Sequence, residues 1–244
     1  MSVFAAIITI ALKASVYFYT NSVSFLSDAL ESLINLAVAI LAVWIIKVSE
    51  RPPDDDHEFG HDKAEYFSSG IEGTLILLAA IGIVVASVPR LLAPQPITNI
   101  GIGLALSAVA AAINCCVGLL LIRVGKENDS IVLEADGRHL MTDVWTSVGI
   151  FVAIAVVWLT GWIIIDPIIA LVVAASIAWT GYKLTRRSVF GLMDTVIDEE
   201  SSEIATNILE EYKSSLEIDY HAFRTRKSGA RKFIYFHLLV PDDW

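Results

Sequence analysis

At 244 residues, with 55% hydrophobic content and a mean hydropathy of +0.64, the chain is more apolar than ordinary soluble domains. Its 17 basic and 27 acidic side chains give a formal net charge of −10, which argues against nucleic acid as a partner because phosphate binding calls for basic surface. The two cysteines, Cys115 and Cys116, are adjacent in an apolar run; this spacing suggests neither a disulfide framework nor a zinc knuckle, and both read as small packing residues between helices.

The N-terminus is apolar almost from Met1 and lacks a basic lead and a small-residue cleavage site, so it reads as a first spanning segment rather than a signal peptide. Six segments near the ~20-residue spanning length are predicted, at about 3–20, 25–47, 69–90, 99–122, 139–160 and 162–182. Breaks fall at Asn21-Ser22, at Ala93-Pro94-Gln95-Pro96 and at Thr160-Gly161. Two longer charged loops, Ser49–Glu65 and Arg123–Arg138, separate the second from the third segment and the fourth from the fifth. With a cytoplasmic N-terminus, Lys47, Arg51, Lys63, Arg123, Lys126, Arg138, Lys183, Arg186 and Arg187 all lie inside and only Arg90 lies clearly outside, so the positive-inside rule selects that orientation.

Beyond about Arg187 the composition becomes that of a soluble module. Ile204, Ile208 and Tyr212 recur at helical spacing behind Asp198, a capping residue type. Two alternating segments, at about 217–226 and 232–240, meet across Ser228-Gly229 as a hairpin. The expected fold is therefore an all-α membrane protein: a six-helix transmembrane bundle over 1–184 and a small cytoplasmic α/β domain over 185–244. One helix and two strands are few elements for an independent core, so this domain either borrows a partner's surface or is a shortened version of a longer one.

Four polar residues intrude on the apolar segments in two pairs, Glu31 with Asn35 and His139 with Asp143. Each pair is spaced i,i+4 and emerges from one helix face. Ionisable groups at bilayer depth are costly and mark ion pathways. Together the four offer three oxygen donors and one imidazole nitrogen, a donor set for a first-row divalent cation. For His139 and Asp143 to sit near the midplane, their helix must begin earlier, through Ile131–Arg138. With both carboxylates ionised the site carries two negative charges that M²⁺ neutralises, so protons should replace the metal on release. The competing reading is interhelical hydrogen bonding.

Further clusters are weaker. The loop Asp54–Asp62 places Asp54, His57 and His61 among other acids, either as a surface cation site or as an ordinary solvated loop. A hairpin centred on Gly229 sets His221 opposite His237, as a partial metal site or as half-buried strand histidines. Asp28, one turn before Glu31, reads as a support or entrance for the quartet; Lys13 either pairs with a carboxylate or snorkels; Asp166 reads as a helix-end polar residue.

The strings Asn21-Ser-Val-Ser-Phe-Leu-Ser-Asp-Ala-Leu-Glu31, Phe59-Gly-His-Asp-Lys-Ala-Glu65, Ala135-Asp-Gly-Arg-His-Leu-Met-Thr-Asp143 and Arg224-Thr-Arg-Lys-Ser-Gly229 resemble the cation diffusion facilitators over nearly the whole chain. The resemblance implies a homodimer in the inner membrane of a bacterium that exports a divalent cation from the cytoplasm in exchange for protons. It implies a transport site at Glu31, Asn35, His139 and Asp143, a loop site at Asp54, His57 and His61, and a partial site at His221 and His237. It also implies a metallochaperone-like cytoplasmic domain and a charge cluster of Lys63, Asp194 and Arg226 tying that domain to the membrane one. Glu31 and Asn35 stand where the family commonly has Asp or His followed by Asp. The metal therefore stays open among zinc, the leading expectation, and iron, cobalt, manganese and cadmium; it is cargo, and no cofactor is expected. Two other classes are weighed: a membrane-embedded zinc metalloenzyme using His139 and Asp143, and a metal sensor or scaffold without transport. The enzyme reading lacks a His-Glu-x-x-His string and a general base beyond the ligands themselves.

Overall fold

A computed structural model describes residues 2–127, 131–216, 218–229 and 231–241, with the side chains of 2–5 and 131–136 outside the description. Among these residues seven helices and two strands follow in chain order: α1 (Ser2–Thr20), α2 (Val23–Ser49), α3 (Ala64–Leu92), α4 (Ile100–Glu127), α5 (Ile131–Thr160), α6 (Ile165–Leu192), α7 (Glu199–Leu216), β1 (Asp219–Ser228) and β2 (Arg231–Leu239). Five of them, α2 to α6, have the length and apolar character to cross a membrane; α1 is apolar over the shorter stretch Ala6–Thr20.

Helix ends follow the local chemistry. Asn21 takes a left-handed conformation (φ 57°) after α1, and Gly161 does the same (φ 72°) after α5, each stopping its helix where an ordinary side chain would be strained. Asp198 caps α7, accepting from the Ser201 backbone N–H at 3.0 Å. Two expectations are corrected in extent. The loop expected over Arg123–Arg138 is largely helix, since α4 runs to Glu127 and α5 starts at Ile131; residues 128–130 lie outside the described ones. The early start of α5 is what the His139/Asp143 reading required. Helix α6 continues ten residues past the expected 182, to Leu192. There Gly191 lies so close to the Tyr66 ring that an added Cβ would collide with it, and tertiary packing holds the polar extension helical.

The chain packs as two units, residues 1–40 with 74–182 and residues 41–73 with 183–244. In the first, Val23, Ala80, Ile83, Ala170, Ala174 and Ile177 bind α2, α3 and α6 together, while Val16, Phe25, Ile150 and Ile154 bind α1, α2 and α5. Outward residues such as Val85, Leu159 and Val172 leave more than half their surface open, an apolar exterior suited to lipid rather than water. In the second unit β1 and β2 pair antiparallel from Ser228↔Arg231. The expected first strand residue, Glu217, lies outside the described ones.

Candidate metal-binding sites

Helices α1, α2, α4 and α5 line a partly open cavity of about 100 Å³ in the first unit. Its polar lining comes from Thr9, Ser32, Asn35, Asn114, His139 and Asp143. The i,i+4 spacing of each predicted pair does what helical geometry demands for Asn35, His139 and Asp143, which converge from two helices on one space. Asn35 donates from Nδ2 to Asp143 Oδ1 at 3.5 Å, a long bond at the outer limit of hydrogen bonding. Asp143 is buried and His139 is exposed. Glu31 is half-buried on α2 and does not line the cavity. Among the described residues, Glu31, His139 and Asp143 do not bring their ligand atoms within 4.8 Å of one another.

A buried charge pair adjoins this cavity. Lys13 Nζ donates to Asp28 Oδ1 at 2.7 Å and to Ser32 Oγ at 2.8 Å, and Ser147 Oγ donates to both Asp28 oxygens at 3.2 Å. Both members of the pair are about 3% exposed. Of the two readings open for Lys13, the pairing with a carboxylate is the one observed. Asp28 thus joins α1, α2 and α5 one turn from Ser32, a support beside the cavity rather than part of its lining.

Among the described residues, Asp54, His57 and His61 form a cluster whose ligand atoms all lie within 4.8 Å of one another. Asp54 Oδ1 meets His57 Nδ1 at 3.0 Å, and Asp54 Oδ2 meets His61 Nε2 at 3.4 Å. Partial desolvation pushes the Asp54 carboxyl up, but hydrogen bonds from the His57 side chain and backbone outweigh it and hold the group below its ordinary value. Among the described residues, Nδ1 of His61 is buried without a hydrogen-bond partner.

His221 faces His237, with Nε2 and Nδ1 3.0 Å apart, but by a different route from the one expected. From Ser228↔Arg231 to Arg224↔Tyr235 the register would set His237 against Ala222; an irregularity between His221 and Arg224, with Ala222 at φ 55°, shifts the pairing by one. Lys63, Asp194 and Arg226 also meet: Asp194 Oδ1 lies 2.9 Å from Lys63 Nζ and 3.4 Å from Arg226 Nη1. The Arg226 guanidinium stacks near the rings of Phe59 and Phe233, at 4.8 and 4.7 Å. The hydrogen bond from Lys63 and then that from Arg226 hold the Asp194 carboxyl below its usual range.

Sequence reasoning missed Asn114, which is 3% exposed in the middle of α4, and Ser147 on α5. Asn114 was detectable by the criterion that found Asn35, a lone amide in an apolar run. Asp166 was placed at the end of α6, but it serves α2. Its Oδ1 accepts from Ser22 Oγ at 2.6 Å and from the Ser24 backbone N–H at 3.1 Å, and its Oδ2 accepts from the Val23 N–H at 3.0 Å.

Five membrane-length helices, with polar and charged side chains gathered on the inner faces of the bundle, define an integral membrane protein. The sequence matches the cation efflux transmembrane domain over residues 1–193. It is 46% identical, over 244 residues, to the uncharacterized transporter sll1263 of Synechocystis sp., covering all of this chain and 78% of that one. It is 27% identical over 240 residues to the cation-efflux pumps FieF of Citrobacter koseri and of Salmonella arizonae, covering 98% of this chain and 78% of each relative. The chain belongs to the cation efflux, or cation diffusion facilitator, family of transporters.

Proposed function

We propose that this protein exports a divalent transition-metal cation, zinc foremost, from the cytoplasm in exchange for protons, through a site made by Glu31, Asn35, His139 and Asp143. The observation that carries this reading is the convergence of Asn35, His139 and Asp143, from two helices, on one cavity. Glu31 stands one turn from Asn35 on α2 and joins the set by side-chain rotation as the ion binds. Asp143 and Glu31 supply two negative charges and His139 a neutral imidazole, so a bound M²⁺ brings the site to zero net charge in a low-dielectric setting. Departure of the ion leaves those charges uncompensated, and protons taken up by His139 and a carboxylate replace it.

In this reading α1 to α6 all span an inner membrane, both termini are cytoplasmic, and 1–184 and 185–244 act as transport and cytoplasmic domains of a homodimer. The basic residues clustered at one end of the spans support the orientation. Asp54, His57 and His61 hold a cation at the cytoplasmic face, His221 and His237 form part of a second site, and Lys63, Asp194 and Arg226 fix the cytoplasmic domain.

Proteoliposomes with an imposed pH gradient and a panel of divalent metals test the reading. Asp143→Ala should reduce metal-driven proton flux to background while the purified protein keeps its helical content and elution volume. Wild-type flux from that variant removes the quartet from the mechanism.

A further inference from the structure

Asn114 projects from α4, a helix that supplies none of the four proposed transport ligands. Its side chain is 3% exposed and lines the same cavity as Asn35, His139 and Asp143. Among the described residues its amide makes no hydrogen bond, and it faces the cavity. The helix crossing places it there. Gly118, one turn along α4, lies against Gly137, two residues before His139; a Cβ on Gly137 would meet the Gly118 carbonyl oxygen at 2.7 Å, and one on Gly118 would meet the Gly137 carbonyl oxygen at 3.1 Å. Two facing glycines let α4 and α5 approach closely, and the next polar group up α4 faces the cavity.

We infer that Asn114 gives its amide oxygen to the transported cation as a ligand beyond the Glu31, Asn35, His139 and Asp143 set, and thereby sets metal preference. This rests on the transport reading above and deepens it. Four donors already fill the tetrahedral shell that zinc prefers. A further neutral oxygen serves an ion that takes five or six ligands in an oxygen-rich shell, as manganese(II) does. The cavity of about 100 Å³ is large enough for an ion and one or two waters, each with a share near 30 Å³ of liquid volume. Asn114 thus raises transport of manganese(II) relative to zinc(II) above what the other four ligands alone would give.

The test compares initial rates for manganese(II) and zinc(II) in proteoliposomes of wild type, Asn114→Leu, Asn114→Ala and Asn114→Asp. Leu fills the volume without an oxygen, Ala removes the group outright, and Asp restores an oxygen at the same reach. The manganese-to-zinc rate ratio should fall about tenfold in the Leu and Ala variants, equivalent to the loss of roughly 1.4 kcal/mol of preference, and stay within about threefold of wild type in the Asp variant. A ratio unchanged or raised in whichever of the Leu and Ala variants assembles overturns the inference, as does an equal fall in the Asp variant, because a packing role would not distinguish the two metals. Asp143→Ala run in parallel separates the two readings. Flux lost there with an unchanged ratio at Asn114 sinks only the ligand assignment; flux retained there sinks the quartet.

Discussion

Lys13 and Asp28 illustrate how a costly side chain becomes tolerable inside an apolar bundle. Each alone would carry an uncompensated charge in a low-dielectric interior; at 2.7 Å, with Ser32 and Ser147 filling the remaining bonds, the pair is neutral and nearly satisfied. Breaking such a pair is far worse than removing it, since one truncation strands the other charge. Lys13→Met should therefore destabilise the detergent-solubilised protein by about 3 kcal/mol, and adding Asp28→Asn should recover most of that loss. Thermal unfolding of the single and double variants checks this; equal losses in both would mean that the pair is not coupled. The ionisable residues themselves were visible in the sequence as interruptions of apolar runs. Their pairing was not, because Lys13 and Asp28 lie on different helices, and local spacing carries no information about which face of one helix meets another.

Asp166 shows the same limit for helix ends. A carboxylate followed by Pro167 near the start of an apolar run marks a helix start, and α6 does begin at Ile165. Yet the carboxylate turns across to the first turn of α2, where it accepts from Ser22, Val23 and Ser24 and supplies in trans what a capping residue supplies locally. It is 2% exposed, so Asp166→Ala should cost at least about 2 kcal/mol by leaving donors of α2 unpaired. Chemical unfolding in detergent gives the value; a loss below about 0.5 kcal/mol would show that water replaces the cap. The β-hairpin carries a related lesson. A turn near Gly229 was legible from Ser228-Gly229 and the flanking alternation, whereas the irregularity at Ala222 was not. No local residue preference announces it, and it is this irregularity that restores the His221–His237 pairing.

Within the unit formed by 41–73 and 183–244, Asp194 ties Lys63 to Arg226, while Arg231 reaches Asp62 at 3.2 Å and the Gly229 N–H donates to Tyr66 at 3.2 Å. Loop, helix and hairpin segments more than a hundred residues apart in sequence are thereby joined. The sign of the pH dependence follows from Asp194, whose carboxyl is held below its usual value by Lys63 and then Arg226. Its contribution is fully present above the unfolded carboxylate value of about 3.9 and is lost as pH falls through the lowered folded value. The unfolding midpoint of wild type should exceed that of Asp194→Asn by a constant amount from pH 7 to pH 5, and the gap should close below about pH 4. A gap that persists unchanged into strong acid would show that the ion pairs contribute nothing. Because the cluster is largely exposed, added salt should narrow the gap at neutral pH.

The order of the helices, their approximate limits and the two polar pairs were fixed by the chain itself, because apolar run length and i,i+4 spacing are local properties that a bilayer-length helix must satisfy. Family membership was legible for the same reason, since its signatures are contiguous strings. Which polar groups share a space depended on helix crossing, which is set by contacts between distant segments such as the Gly118–Gly137 approach. Several such crossings, each between a different pair of helices, brought Asn114 to the cavity, left Glu31 off its lining, set Asp166 against α2 and matched Lys13 with Asp28. Packing chooses partners by shape and proximity in three dimensions, and no linear pattern encodes that choice.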